Sequence, residues 1–154
     1  MNDDQFDADA QVWIEELEPE VCWGLLGRRL LGRVGFVADG ELLVLPVNHH
    51  VDGHSIVFRT GRTSMFEVLR EGARVAFEID EADAFFETGW SVLIKGTATE
   101  VTDPVALSDA PLHPWAPGRR DHWIRIVPDS VTGRSISRQR SATDGHLLPY
   151  MPPD

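Results

Sequence analysis

Residues 42–80 read LLVLPVNHHVDGHSIVFRTGRTSMFEVLREGARVAFEID, and this stretch decides the fold of the 154-residue chain. Its first half contains two runs of apolar and β-branched residues that are separated by Asp52-Gly53. A dipeptide of this kind between two such runs is typical of a tight hairpin turn. The pattern therefore predicts strands over 41–51 and 54–60 that pair antiparallel.

The second half of the stretch begins with a polar turn and continues into a helix. Ser64 and Glu67 have the spacing of a capping box, which predicts a helix over about 65–71. Gly72 is expected to end this helix, because glycine accepts the backbone conformation that follows a last helical turn. Residues 73–79 alternate well enough between apolar and polar side chains to predict a further strand.

Further helix and strand patterns flank this stretch on both sides. Pro19 suits the first turn of a helix whose apolar stripe includes Leu25 and Leu26, and Gly32 is expected to end it. Gly96, near the middle of a long strand pattern, predicts a bend or bulge that helps to close a barrel. The strands predicted outside the stretch cover residues 33–38, 89–101 and 122–127. Their number and spacing predict a mainly β fold, a closed or partly closed antiparallel barrel with short helices.

The chain divides into one domain and two flanking segments. The acidic composition of residues 1–17 predicts a poorly ordered N-terminal lead-in before the domain, although Trp13 is able to dock on the barrel. Residues 18–136 are predicted to form the barrel domain. The polar, proline-bearing residues 137–154 predict a tail that is flexible or draped over a neighbouring surface.

Composition and charge exclude several classes of protein. The formal net charge of −11 argues against a general nucleic-acid binder, because most of the surface would repel phosphate groups. No apolar run approaches the roughly 20 residues that span a bilayer, so we expect no membrane insertion. Cys22 is the single cysteine, which excludes an internal disulfide and predicts a location in the reducing cytoplasm.

One polar turn concentrates groups that bind anions. Arg59, Thr60, Arg62, Thr63 and Ser64 supply two guanidinium groups and three hydroxyl groups immediately before the predicted helix. A phosphate dianion favours this combination of charge, donors and helix dipole. Arg59 and Thr60 point to opposite faces of their strand, so both cannot face one pocket from within it. A solvated turn with an ordinary helix cap is the alternative interpretation of the same residues.

The histidines and carboxylates do not form a recognisable metal or catalytic site. His49 and His50 are adjacent on a strand and therefore point to opposite faces, while His54 lies beyond the turn. A zinc site needs three or four convergent ligands, so we predict no metal. The carboxylates between residues 78 and 87 are typical of a solvated connection, and they identify no catalytic residue.

The order of these blocks resembles the flavin-binding split barrels of the pyridoxamine 5'-phosphate oxidase-like family. The blocks are Leu45-Pro46-Val47-Asn48, Phe58-Arg59-Thr60 with the turn that follows, and Gly89-Trp90-Ser91-Val92 through Gly96. A further block, from Trp115 to Ile126, resembles the C-terminal portion of the family. The resemblance covers about residues 20–135, and it implies an antiparallel split β-barrel with short helices.

The resemblance implies FMN as the cofactor. Family members lay the first block along the edge of the isoalloxazine ring and hold the phosphate with the second block and its turn. Met65 stands where related sequences often place a lysine that contacts the phosphate. The flat faces of Trp90, Trp115 and Trp123 suit contact with a flavin ring. The cofactor residues implied by the resemblance are Pro46, Val47, Asn48, Phe58, Arg59, Thr60, Arg62, Thr63, Ser64, Met65, Trp90 and Trp123.

The resemblance further implies an FMN-dependent oxidoreductase that acts on a small-molecule substrate. It would be a homodimer with the cofactor at the interface, and the strand that contains Trp90 would lie in that interface. Two alternatives stay open. One is a deazaflavin (F420) reductase, because the acidic tail of F420 suits Arg28, Arg29 and Arg33. The other is a cofactor-binding module without turnover, which the presence of Met65 in place of the phosphate-binding lysine would suit.

Overall fold

The computed structural model describes residues 11–139, most of which lie in strands. In chain order the elements are β1 (Gln11–Leu17), α1 (Pro19–Arg28), β2 (Leu31–Ala38), β3 (Glu41–Asp52), β4 (Ser55–Thr60), α2 (Ser64–Leu69), β5 (Glu71–Asp83), β6 (Thr88–Glu100), a 3₁₀ helix (Pro104–Leu107) and β7 (His122–Gln139).

Six strands close into an antiparallel barrel. Around the ring their order is β7-β4-β3-β2-β5-β6, and β6 pairs with β7 to complete the circle. β1 lies outside this ring, where it pairs with the C-terminal half of β7. The predicted antiparallel barrel with short helices is therefore confirmed.

The ring is open along part of the boundary between β3 and β4. These strands pair only between His49↔Phe58 and the turn that joins them. Residues 41–48 of β3 pair with β2, so the β2–β3 hairpin extends past the end of this ladder. We call the space between residues 46–48 of β3 and the end of β4 the β3–β4 gap.

Large apolar side chains fill the barrel. Its main core contains Phe58 from β4, Phe66 from α2 and Phe77 from β5, all of which are buried. Burying a side chain of this size contributes about 1.5–3 kcal/mol. A second, smaller cluster forms on the opposite face of β4 and β7, where Val57 and Trp123 are covered by the segment that follows β6.

Helix α1 packs on the barrel through Cys22, Leu25 and Leu26, as its apolar stripe predicts. It begins at Pro19, whose fixed φ and missing N–H suit a first helical turn. Burial raises the pKa of the Cys22 thiol, so this cysteine is suited to the core rather than to nucleophilic chemistry. Neither α1 nor α2 is long and apolar enough to cross a bilayer.

The predicted end of this helix at Gly32 is wrong, because α1 ends at Arg28 and Gly32 belongs to β2. The reason for a glycine at this position is close packing. A Cβ atom on Gly32 would lie 2.3 Å from the ring of Phe77, which occupies that space.

The structure differs from the predicted segments near both ends of the chain. Residues 11–17, which we expected to be a lead-in, form β1 and pair with residues 133–139 of β7. Leu17 packs against the main core, which anchors this added strand. Residues 1–10 and 140–154 lie outside the described residues, and so does most of the predicted tail.

Helix α2 begins one residue earlier than predicted because Thr63, rather than Ser64, is its N-cap. The Thr63 hydroxyl oxygen accepts a hydrogen bond from the N–H of Phe66 at 3.3 Å. Glu67 does not complete the predicted capping box. Its carboxylate instead lies 3.3 Å from Nε of Arg62, on the exposed side of the turn.

Two glycines mark irregular pairing. The bulge predicted at Gly96 is confirmed by a shift in register between Lys95 and Gly96. A Cβ atom there would lie 2.3 Å from the carbonyl oxygen of Val127 in β7. Gly72 does not end α2, which stops at Leu69; it lies at an irregularity near the start of β5 with φ of +93°.

Candidate functional site

The β3–β4 gap exposes one edge of β3. Pro46, Val47 and Asn48 pair on their other edge with Arg33, Gly32 and Leu31 of β2, and no strand of the described chain pairs with them on the gap side. Backbone amide and carbonyl groups on such an edge need partners, and a flat polar ligand can supply them. The gap is therefore the candidate site.

Arg59 borders the gap at the end of β4. It lies opposite Trp123, and its guanidinium carbon is 5.5 Å from the centre of the Trp123 ring. Its Nε donates a hydrogen bond to the carbonyl oxygen of Arg120 at 2.9 Å. Thr60 is fully buried and donates to the carbonyl oxygen of Gly61 at 3.1 Å. The predicted opposite directions of Arg59 and Thr60 are confirmed, and only Arg59 lies on the outer face.

The turn after β4 retains part of the predicted anion chemistry. Arg62 is largely exposed, and its ion pair with Glu67 is also exposed, so an incoming anion can compete for the guanidinium group. Ser64 is exposed at the start of α2. Thr63 is engaged as the helix cap. The structure therefore leaves two polar side chains of this turn, Arg62 and Ser64, exposed.

Three side chains predicted to contact the cofactor lie in the main core. Phe58 is fully buried, while Met65 and Trp90 are each only 8% exposed. Burial of Met65 follows from α2 itself, since its inward face also carries Phe66 and Leu69. Phe58, Met65 and Trp90 therefore belong to the core of the barrel and expose little or no side-chain surface.

Residues 111–121, which we call the strap, run beside the gap; of these, the sequence pointed only to Trp115, as a candidate contact of the flavin ring, and not to the backbone contacts of the segment. The backbone N–H of Trp115 donates to Oδ1 of Asn48 at 2.8 Å. The amide nitrogen of Asn48 in turn donates to the carbonyl oxygen of Leu30 at 3.3 Å. The strap thus contacts both β3 at Asn48 and β4 at Arg59. The block Trp115-Ala116-Pro117-Gly118 is the sequence signal that could have drawn attention to it.

An open groove of about 480 Å³ lies beside the strap. It is lined by residues 28–33, by Asp80 and Glu81 of β5, and by Trp115. Trp115 is 63% exposed and provides a flat apolar wall. The groove therefore combines guanidinium groups, carboxylates and one aromatic face.

Most of the positive charge in this groove is already neutralised. Arg33 lies 3.0 Å from Glu78, and Arg29 forms an ion pair with Glu81. Arg28 has no ion pair among residues 11–139. Of the three arginines considered for an acidic cofactor tail, Arg28 is the one whose charge is most available.

The histidines do not converge on a metal site. His49 is buried, and its Nε2 lies 2.9 Å from the carbonyl oxygen of Leu26, to which it donates. Burial lowers the pKa of His49. His54 stacks on Trp23 with the ring centres 5.0 Å apart. Within residues 11–139, no group of three His, Cys, Asp or Glu side chains is placed to hold an ion.

Comparison with known proteins identifies relatives of this fold. Residues 18–135 match the family described as pyridoxamine 5'-phosphate oxidase. The uncharacterized protein Rv0080 of Mycobacterium tuberculosis is 37% identical over 130 residues, which cover 80% of this chain and 86% of that protein.

Solved structures of flavin-binding proteins share the fold of this chain. The FAD binding protein from Mycobacterium smegmatis is 30% identical with a TM-score of 0.63, and the match covers 83% of this chain and 100% of that one. A FAD-binding protein from Mesorhizobium loti has a TM-score of 0.68 at 22% identity, over 82% and 99% of the two chains, a likeness of fold alone. Because the family match spans most of the chain and agrees with the split barrel, the protein belongs to the pyridoxamine 5'-phosphate oxidase family.

Proposed function

We propose that this protein binds a flavin nucleotide in the β3–β4 gap and acts in redox chemistry. The observation that carries the proposal is the open edge of β3 at residues 46–48. The polar edge of an isoalloxazine ring carries both donors and acceptors, so it complements an unpaired strand edge. The similarity to the FAD binding protein from M. smegmatis supports a flavin ligand.

The turn after β4 is the proposed position of the flavin phosphate. Arg62 and Ser64 are exposed there, and a guanidinium group with a hydroxyl group suits a phosphate. Arg59 lies between this turn and the edge of β3, stacked on Trp123. FMN contains the ring and one phosphate, which are the parts that these residues would contact. FAD contains the same parts and adds an adenylate.

The chemistry would come from the bound flavin, which transfers hydride or electrons, while the chain binds it and orients its ring. The buried side chains of Phe58 and Met65 support the strand and helix on either side of the phosphate turn. A small-molecule substrate would reach the exposed face of the ring. The lone Cys22 is the basis for proposing a cytoplasmic location.

We also propose that the protein is a homodimer. The expected interface strand around Trp90 does not supply the apolar surface, because that side chain is buried. The β2–β3 hairpin supplies it instead: Leu42 is 84% exposed, Val44 is 66% exposed, and Val37 is also exposed. An apolar patch on a projecting hairpin is typical of a surface that a partner covers. A second copy on this hairpin would lie beside the gap, with an interface of more than about 2,000 Å².

A visible spectrum of the purified protein, followed by titration with FMN, FAD and F420, tests the proposal. A two-band flavin spectrum, or quenching of flavin fluorescence on titration with a saturable dissociation constant, would support it. Preference for FAD over FMN would show that the adenylate is also held. Binding of F420 alone would favour the deazaflavin alternative, for which Arg28 in the groove is the supporting observation. No binding of any of the three would reject the redox proposal and leave a module without these cofactors.

A further inference from the structure

We infer that the strap closes the β3–β4 gap and must open before a flavin ring can lie along β3. This inference rests on the proposed function, because it concerns entry to that site. It adds a competition: the strap engages Asn48 and Arg59, which border the space that the ring would occupy. Flavin affinity then depends on how often the strap is open.

The contacts of the strap lie on both sides of the gap. On the β3 side, the N–H of Trp115 donates a hydrogen bond to Oδ1 of Asn48 at 2.8 Å. On the β4 side, Nε of Arg59 donates a hydrogen bond to the carbonyl oxygen of Arg120 at 2.9 Å. Beyond Arg59, the backbone of Gly61 approaches the strap so closely that a Cβ atom there would lie 2.9 Å from the carbonyl oxygen of Arg119. The strap therefore bridges the two edges between which the ring is proposed to bind.

The strap is attached firmly near its ends and weakly between them. Near one end, Leu112 packs against the second, smaller cluster, which contains Val57 and Trp123. At the other end, Trp123 lies in β7 directly after the strap and pairs with Arg59 of β4. Between these points, the side chain of Trp115 is mostly exposed, and residues 116–119 are exposed as well. A segment with few buried apolar contacts can open locally while the barrel stays folded.

A strap that opens and closes leads to a quantitative expectation for the dissociation constant of the flavin. If the gap admits a ring only in the open state, the measured dissociation constant equals the intrinsic one divided by the open fraction. A change that destabilises the closed strap by a given factor then tightens flavin binding by the same factor, as long as the closed state dominates. A wall that never moves predicts no such gain.

Gly118 provides a change that acts on the closed strap alone. Its φ is +100°, a conformation that alanine adopts only with strain, and no atom lies within 4 Å of a Cβ placed there. Gly118→Ala should therefore raise the open fraction roughly fivefold to thirtyfold without a steric clash. Gly53→Ala is the matched control, since Gly53 also has a positive φ of +60° and free space but lies in the β3–β4 turn.

Hydrogen exchange followed by mass spectrometry, together with FMN titration, tests the inference on the full chain. In the empty wild-type protein, amides of residues 111–121 should exchange faster than those of β6 and β7. Gly118→Ala should raise that exchange and tighten FMN binding by a similar factor, roughly fivefold to thirtyfold. Gly53→Ala should change neither quantity. Saturating FMN should increase exchange in the strap of the wild-type protein.

Three results would overturn the inference. Strap amides that exchange only at the rate of the core strands would show a fixed wall. Slower exchange of the strap with bound FMN would show that it belongs to the bound state. Gly118→Ala with faster exchange but unchanged affinity would separate the strap from ligand entry. Failure of every variant to bind FMN or FAD would instead reject the proposed function, and the exchange of the empty protein would still decide whether the strap opens.

Discussion

Replacing Met65 by lysine separates a core position from a phosphate-binding position. The resemblance to related sequences suggests that a lysine there would contact the flavin phosphate. The structure predicts the opposite, because the Met65 side chain is 8% exposed and lies in the main core. We therefore expect Met65→Lys to destabilise the protein and to leave flavin binding no tighter. Ser64→Lys adds the same charge one residue earlier, on the exposed surface of the turn.

The size of the effect follows from burial. Loss of a buried methionine side chain costs about 1.5–3 kcal/mol. Keeping the lysine in the core in its neutral form at pH 7 costs a further 4–5 kcal/mol or so, since its pKa must fall by about 3.4 units at 1.36 kcal/mol each. If the long side chain bends to place its ammonium group in water, the second cost is mostly avoided. The free energy of unfolding should therefore fall by at least about 1.5 kcal/mol, or about 3–6 °C in Tm for a protein of this size.

Thermal unfolding followed by circular dichroism, and FMN titration at two salt concentrations, provide the measurements. Ser64→Lys should change the free energy of unfolding by less than about 1 kcal/mol and tighten FMN binding severalfold, with the gain fading as salt rises. A Met65→Lys protein that melts within a degree of wild type and binds FMN more tightly than Ser64→Lys would refute this reasoning. It would place the Met65 side chain at the phosphate and not in the core.

Three further predictions concern the barrel, its pH dependence and its assembly. Gly96→Ala should lower the free energy of unfolding by about 1–3 kcal/mol in a urea titration, because its Cβ would meet the Val127 backbone, whereas Gly35→Ala, with no contact closer than 3.8 Å, should not. Burial lowers the pKa of His49, so the unfolded chain binds more protons and the free energy of unfolding should fall as the pH drops below about 6.5, by at most about 1.4 kcal/mol per pH unit. His49→Gln should flatten that part of the pH profile, and an unchanged profile would assign the effect to another group. Leu42→Glu should convert the proposed dimer to a folded monomer in sedimentation velocity at micromolar concentration; a wild-type protein that is already monomeric would remove the basis for the interface.

The strands of the barrel could be predicted because their signals are local. Alternation along 73–79, the turn at Asp52-Gly53 and the glycine at the bulge each depend on neighbours in sequence. The N-cap was misplaced because Thr63 and Ser64 are both good caps, and only the Phe66 N–H in space decides between them. β1 was not predicted because it directly follows an acidic stretch, residues 1–10, whose sequence is typical of a flexible end. Its pairing with the last strand, more than 100 residues away, is a tertiary interaction that no local pattern reports.

The candidate site likewise combines features with local sequence signals and features that depend on tertiary contacts. The strand that contains Pro46, Val47 and Asn48 was predicted and lies at an open edge; its contact with a cofactor stays a prediction. That the edge is bordered by the strap could not be predicted, because the strap contacts Asn48 and Arg59 mainly through its backbone. Backbone contacts impose no periodicity on the sequence. The burial of Trp90 could not be predicted for a related reason, since a tryptophan on a strand looks alike in sequence whether it faces a cofactor or the core.

The pairing of the first described strand with the last one has a consequence for biosynthesis. Gln11 lies beside Gln139, and β7 is also the strand that closes the ring by pairing with β6. Until β7 has left the ribosome, β1 has no partner, and both β4 and β6 expose an unpaired edge. Nascent chains that stop short of β7 would thus present the strand edges and apolar surface that promote aggregation. Completion of the barrel is in this sense a late event, which depends on the final stretch of the domain to be synthesised.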